Sequence, residues 1–159
     1  MQKIYYEITK TMNNLPISIY PHKKSPCQIC TAHWHRSLEL SIVFEGKVIF
    51  FNDGVKRIRY KNEVNISNCE EIHYSIPQYK EFDEKVVGYT MHINYGFLKK
   101  MIPDIKNIYF NIDEPFLNKK ITKYMMDIYS FYISNQSTKY MNILTVTLEM
   151  LIFLYENGK

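Results

Sequence analysis

His33-Trp34-His35-Arg36-Ser37-Leu38-Glu39, with Gly46 seven residues further on, puts three donors for a metal or a ligand within a seven-residue stretch. On an extended segment His33 and His35 project from the same face, roughly 7 Å apart along the backbone, so both imidazoles reach one point. Trp34 alternates with them and is expected to face away from that point, packing as a structural aromatic. Glu39 is expected to join the histidines from the following strand.

Outward from this stretch the apolar pattern up to about residue 94 is short and strand-like, at 4–8, 17–20, 38–44, 48–51, 58–60 and 86–93. Asn52-Asp53-Gly54 separates two such runs and predicts a tight hairpin, because Asx and Gly residues accept the positive φ the turn needs. Gly46-Lys47 predicts another turn. Many short antiparallel strands at this spacing predict a sandwich or barrel. In the run 86–93, Val87, Tyr89, Met91 and Ile93 share one face and Gly88, Thr90 and His92 the other. Alternation alone leaves open which face looks inward, so His92 is a pocket candidate.

Beyond a short helix predicted at 95–101 and closed by Pro103, the period changes. Asp113-Glu114-Pro115 reads as a helix start, with an acidic cap and a proline where its missing N–H costs nothing. Leu117, Ile121, Tyr124, Ile128 and Phe131 follow at helical spacing. A second helix is predicted over 138–156. Its polar positions Asn142, Thr145, Glu149 and Glu156 form one stripe, while Tyr140, Ile143, Leu144, Leu148, Leu151, Ile152 and Tyr155 cover the rest. Such a helix needs cover on two sides, which predicts a homodimer through those seven residues.

The 159 residues, 46% apolar and 23% charged, suit one compact domain with a helical appendage. The net charge of +4 is scattered, which argues against nucleic-acid binding by these residues themselves. Met1-Gln-Lys-Ile-Tyr-Tyr-Glu lacks the apolar core of a signal peptide, and no run approaches the roughly 20 apolar residues of a membrane span. Three cysteines, an odd number, suit a reducing compartment, so a cytoplasmic protein with no membrane partner is expected. Cys27-Gln-Ile-Cys30 resembles a zinc pair, but in an extended segment positions 27 and 30 point to opposite faces, so two free thiols are expected.

The spacing His33-x-His35-x3-Glu39-x6-Gly46 resembles the second half of the first conserved motif of the cupin superfamily. The segment 62–73, ending in Glu71-Ile72-His73, resembles that family's second motif, with Asn62 where glycine is favoured and Cys69 where proline is common. Taken with the hairpin at Asn52–Gly54, the pattern is similar to the N-terminal sensor domains of AraC-type transcription regulators, over roughly residues 10 to 155. The resemblance implies a mainly β fold with C-terminal helices. Residues 1–103 would be a cupin-like double-stranded β-barrel, or jelly roll, that binds a small-molecule effector, with residues 1–14 as an arm. Residues 104–159 would be a two-helix dimerisation element. DNA would be bound through a helix-turn-helix domain that lies outside this sequence, which makes the chain an excised sensor domain and not an enzyme.

For His33, His35, Glu39 and His73 two readings stand side by side. Three imidazoles and one carboxylate suit a divalent metal such as Zn, Fe, Mn or Ni. The same residues, with His92, equally suit the lining of an effector pocket without any metal. The alternative function is a small metal-dependent cupin enzyme, a dioxygenase or isomerase. A third reading is a dimerisation module whose pocket is vestigial. No Ser-His-Asp order, phosphate-binding glycine loop or nucleotide fingerprint is present.

Overall fold

The computed structural model describes residues 4–26 and 30–159. The chain divides into two compact units, Met1–Asn107 and Ile108–Lys159. The division falls four residues beyond the expected boundary at 103/104, because Ile105, in a 3₁₀ turn over Ile105–Asn107, is buried with the first unit.

Among the described residues of the first unit the strands are β1 (Tyr5–Tyr6), β2 (Ile17–Lys24), β3 (Cys30–Trp34), β4 (Leu38–Val43), β5 (Lys47–Asn52), β6 (Val55–Tyr60), β7 (Glu63–Ser67), β8 (His73–Pro77) and β9 (Asp83–Ile93). They form one sheet in the order β1-β3-β8-β5-β6 and a second in the order β2-β9-β4-β7. Among the described residues only the β1–β3 pairing is parallel. The expectation of a closed barrel is corrected here: no ladder joins the edge strands of one sheet to those of the other among the described residues. The helix α1 (Tyr95–Met101) follows β9, and the Asn94 side chain caps it by accepting from the Phe97 N–H.

β4 is buried along its whole length, as a strand flanked by β9 and β7 must be. Its Leu38, Leu40 and Ile42 form one apolar face; Glu39 and Ser41 alternate to the other. Val43 packs with Val48 and Phe50 of β5, so the two sheets share an apolar contact at this end.

The β5–β6 hairpin pairs Asn52 with Val55 and leaves Asp53 and Gly54 as a two-residue turn with φ of 44° and 81°. Asn62, with φ of 65°, adopts the left-handed conformation that glycine and asparagine accept most readily. β7 and β8 were not legible as strands, since Glu63-Val-Asn-Ile-Ser67 and His73-Tyr-Ser-Ile-Pro77 carry too few apolar residues to show a period.

In the second unit α2 (Pro115–Tyr132) starts where Glu114 accepts a hydrogen bond from the Leu117 N–H at 2.9 Å, with Pro115 in the first turn. Its buried ridge is Asn118, Ile121, Thr122, Met125 and Ile128; Leu117, Tyr124 and Phe131 sit half-buried at its flank. α3 (Lys139–Asn157) buries Ile143, Thr147, Met150, Leu151 and Leu154. Two of the seven residues expected at a dimer interface, Ile143 and Leu151, are therefore already buried within the chain. Tyr140, Leu144 and Leu148 are half-buried, whereas Ile152 and Tyr155 are exposed, beside an exposed Met141. No helix among the described residues is long and apolar enough to cross a membrane.

Candidate metal centre and cavity

Strand register brings the expected donors together. β3 pairs with β8 so that His33 lies opposite His73, and β4 pairs with β9 so that Glu39 lies opposite His92. His35 sits just past the end of β3, where its carbonyl accepts from the Glu70 N–H at 2.8 Å. Arg36 donates to the Glu70 carboxylate at 2.9 Å and holds the same two loops together.

One carboxylate oxygen is the focus of the cluster. Glu39 Oε2 lies 3.1 Å from His35 Nε2, 3.2 Å from His73 Nε2 and 3.0 Å from His92 Nε2. His33, His35, Glu39 and His73 offer donor atoms that all lie within 4.8 Å of one another. His35, Glu39, His73 and His92 are buried and His33 is half-buried.

The far side of each ring tells what the near side can do. Nδ1 of His33 donates to the Thr31 carbonyl at 2.8 Å, Nδ1 of His35 to that of Ser37 at 3.0 Å and Nδ1 of His73 to that of Glu71 at 2.8 Å. A neutral imidazole bonded in this way presents a bare Nε2 lone pair, and such second-sphere bonds commonly orient metal-bound histidines. Around Glu39 that is a conflict unless protons or a cation intervene, because His35 and His73 would each turn a lone pair toward a carboxylate oxygen. His73 resolves its share by charging: burial opposes the imidazolium, but the Glu39 carboxylate outweighs it and raises the pKa to about 9. Burial likewise works against the Glu39 anion, yet the His73 charge and the bonds from His35, His73 and His92 hold it well below the usual carboxylate range. Burial lowers the pKa of His33.

A divalent cation would remove the same conflict without the extra protons. Two donors each about 2.1 Å from one ion and at right angles are about 3.0 Å apart, close to the separations around Glu39. Three imidazole nitrogens and a carboxylate also suit the chemistry of Zn, Fe, Mn or Ni. The group therefore has the donors and the geometry to hold a metal. His92 differs from the other three: its Nδ1 is buried with no hydrogen-bond partner, so nothing turns an Nε2 lone pair inward. It fits as a hydrogen-bond donor to Glu39.

The cluster opens on a cavity of about 420 Å³. Its lining includes polar His22, His33, Glu39, Ser41, Thr90 and His92 and apolar Val43, Val48, Phe50 and Val87. This settles the face of β9 that alternation left open, since Thr90 and His92 look into the cavity. His35 and His73 stand behind it and contribute only through the donor cluster. Trp34 points away and packs against Tyr6 in a tilted pair with ring centroids 4.7 Å apart. Of the cysteine pair, Cys30 lines the cavity with its Sγ 3.6 Å from His33 Nδ1, and Cys27 lies outside the described residues.

His22 was not legible in the sequence as a site residue. Its Nε2 lies 2.7 Å from Thr90 Oγ1, which lies 2.8 Å from Ser41 Oγ, which donates to Glu39 Oε1 at 3.3 Å. Burial lowers its pKa, so it enters this chain neutral near pH 7. Only the alternation of Ile17, Ile19 and the residues after them hinted that position 22 shares a face with Ser18 and Tyr20.

No family model matches the chain, and no curated protein matches it. Several solved structures do. A cupin 2 conserved barrel domain protein from Salinispora arenicola is 16% identical over 61% of this chain and 79% of its own, with a TM-score of 0.43. An RmlC-like cupin from Shewanella frigidimarina is 15% identical over 48% of this chain and 64% of its own, with a TM-score of 0.38. The cupin domain of Schizosaccharomyces pombe Cnp3 is 14% identical over 54% of this chain and 58% of its own, with a TM-score of 0.39. These structural neighbours are cupins. The chain spans about three-fifths of the length of the latter two, which are matched over 64% and 58%.

Proposed function

We propose that the first unit binds a small-molecule effector beside a divalent cation, Zn, Fe, Mn or Ni, held by His33, His35, Glu39 and His73. In this reading the chain is the effector-sensing and dimerising part of an AraC-type transcription regulator, and DNA is bound by a further domain of the parent protein. The observation that carries the reading is the set of three Nδ1–H bonds to backbone carbonyls, which aims three Nε2 atoms at the neighbourhood of one buried carboxylate. The sensor role rests on the sequence resemblance and on the outer residues of α3, where Met141, Ile152 and Tyr155 leave apolar surface for a second copy. A bound cation would supply a Lewis-acidic anchor for an oxygen donor of the effector.

Elemental analysis of the purified protein tests the first step. Stoichiometric metal in the wild type and its loss in His35→Ala are expected; metal in neither returns His33 and Glu39 to plain pocket lining and His35 and His73 to hydrogen-bonded core residues. A thermal-shift screen of sugars, organic acids and aromatics tests the second, since a ligand that binds the folded state alone raises the melting temperature.

The alternative, a small metal-dependent cupin enzyme, draws on one observation of its own. The chain from His22 through Thr90 and Ser41 to Glu39 is a route for a proton between the cavity wall and the donor set. Conversion of a stabilising ligand by metal-loaded protein in air, followed by mass spectrometry, separates the two readings. Turnover lost in Thr90→Val favours the enzyme; an unchanged ligand favours the sensor.

A further inference from the structure

A second carboxylate reaches the cluster from the N-terminal segment. Glu7 directly follows β1, and its N–H donates to the Trp34 carbonyl at 2.9 Å. Two residues on, Thr9 Oγ1 lies 2.8 Å from Ser37 Oγ. These contacts, with the Tyr6–Trp34 ring pair, hold the segment against β3, and Glu7, Ile8 and Thr9 line the cavity. Glu7 Oε2 stands 3.6 Å from His33 Nε2 and 3.9 Å from His35 Nε2.

The two carboxylates differ in how firmly they are placed. Glu39 is buried on a central strand, whereas the Glu7 side chain is 47% exposed on a segment whose strand is two residues long. Glu39 would thus be the fixed donor. At 3.6 and 3.9 Å from the two imidazoles, Glu7 stands roughly 0.6–0.9 Å beyond the separation of cis donors on one ion, a gap its exposed side chain closes by rotation.

We propose that Glu7 is an exchangeable second carboxylate donor to the cation, and that the ligand of the cavity is a small monocarboxylic acid that takes its place and frees the 5–9 segment. The proposal rests on the cation reading above. With Glu39 and Glu7 both bound, a divalent charge is balanced. Exchange of Glu7 for a ligand carboxylate leaves that balance intact, whereas displacement by a neutral molecule leaves one positive charge uncompensated in a partly buried site. Val43, Val48, Phe50 and Val87 then receive the apolar remainder of the acid. The released segment becomes the signal, because the bound acid and the bound Glu7 exclude each other.

Hexanoate and hexanol, on zinc-loaded full-length protein, test this. Competition with a chelating dye measures zinc affinity, and hydrogen exchange measures the Glu7 amide. Expected results are about tenfold weaker zinc binding by Glu7→Gln, and faster exchange at Glu7 with hexanoate but not hexanol. Tighter hexanoate binding by Glu7→Gln than by the wild type is also expected, because nothing has to be displaced. Equal zinc affinity in wild type and Glu7→Gln, no hexanoate binding, or unchanged exchange at saturating hexanoate each overturns the proposal and leaves the cation reading standing. A wild type that binds no zinc, like His35→Ala, overturns both.

Discussion

At Glu39 one oxygen meets three imidazole nitrogens, and the charge state of that meeting sets how the metal-free protein responds to pH. His73 titrates near 9 in the folded chain and near its ordinary 6.5 when unfolded. Its stabilising charge is fully present below about pH 6.5 and is lost as pH rises through about 9, on the order of 3 kcal/mol in total. Glu39, held low, contributes in the opposite window: its share is present above its unfolded pKa and is lost as pH falls through the folded one. Chelator-treated protein is therefore expected to melt at lower temperature at pH 9 than at pH 6.5. A cation replaces the His73 proton, so zinc affinity should climb about tenfold per pH unit across that window, as one proton is released. A flat melting temperature between pH 6.5 and 9 without metal would contradict the assignment. His33, His35 and Glu39 could be named from spacing because they lie within seven residues. His92 and His22 could not be given their roles, since their partners Glu39 and Thr90 stand 53 and 68 positions away and only register reveals them.

The pairing of β4 with β9 sets that register, and it depends on the absence of a side chain at Gly88. A Cβ there would stand 2.4 Å from the Ile42 carbonyl oxygen, which no rotamer change relieves because the obstacle is backbone. Gly88→Ala is expected to push the strands apart, cost about 2–3 kcal/mol and disturb the Glu39–His92 contact four residues along β9. Denaturant unfolding and the zinc affinity of the refolded variant measure both effects, and an unperturbed variant would show that β9 tolerates local separation. β4 and β9 announced themselves by long apolar alternation. β7 and β8 stayed hidden because Asn65, Ser67, His73 and Ser75 interrupt their apolar pattern, and Asn65, Ser67 and His73 are buried through hydrogen bonds to Asn52 and Glu39 and not through hydrophobicity. Asn52 alone donates to Ser67 at 2.8 Å and accepts from Asn65 at 3.1 Å.

For the molecule as a whole, the apolar sequence of α3 promised cover on two sides, and one of those sides is supplied within the chain by the burial of Ile143, Met150, Leu151 and Leu154. What remains outward is narrower than the sequence suggested: Met141, Ile152 and Tyr155 exposed, with Leu144 and Leu148 half-buried, between Thr145 and Glu149. If these residues carry a homodimer, sedimentation equilibrium should show a dimer that Ile152→Glu converts to monomer without lowering the melting temperature of the monomer. A wild-type monomer at high concentration would remove dimerisation from the proposal. A helical period tells how many faces are apolar but not which neighbour covers them, so the interface could be expected in kind and not in its residues.

The three carbonyls that fix the histidine rings belong to Thr31, Ser37 and Glu71, and in each case the acceptor is main chain. Ring orientation is thus written into the path of the peptide and carries no side-chain signature of its own. Homologues are free to drift at positions 31 and 37 while the imidazoles keep their aim, and a search that scores residue identity there would pass over proteins that share the site.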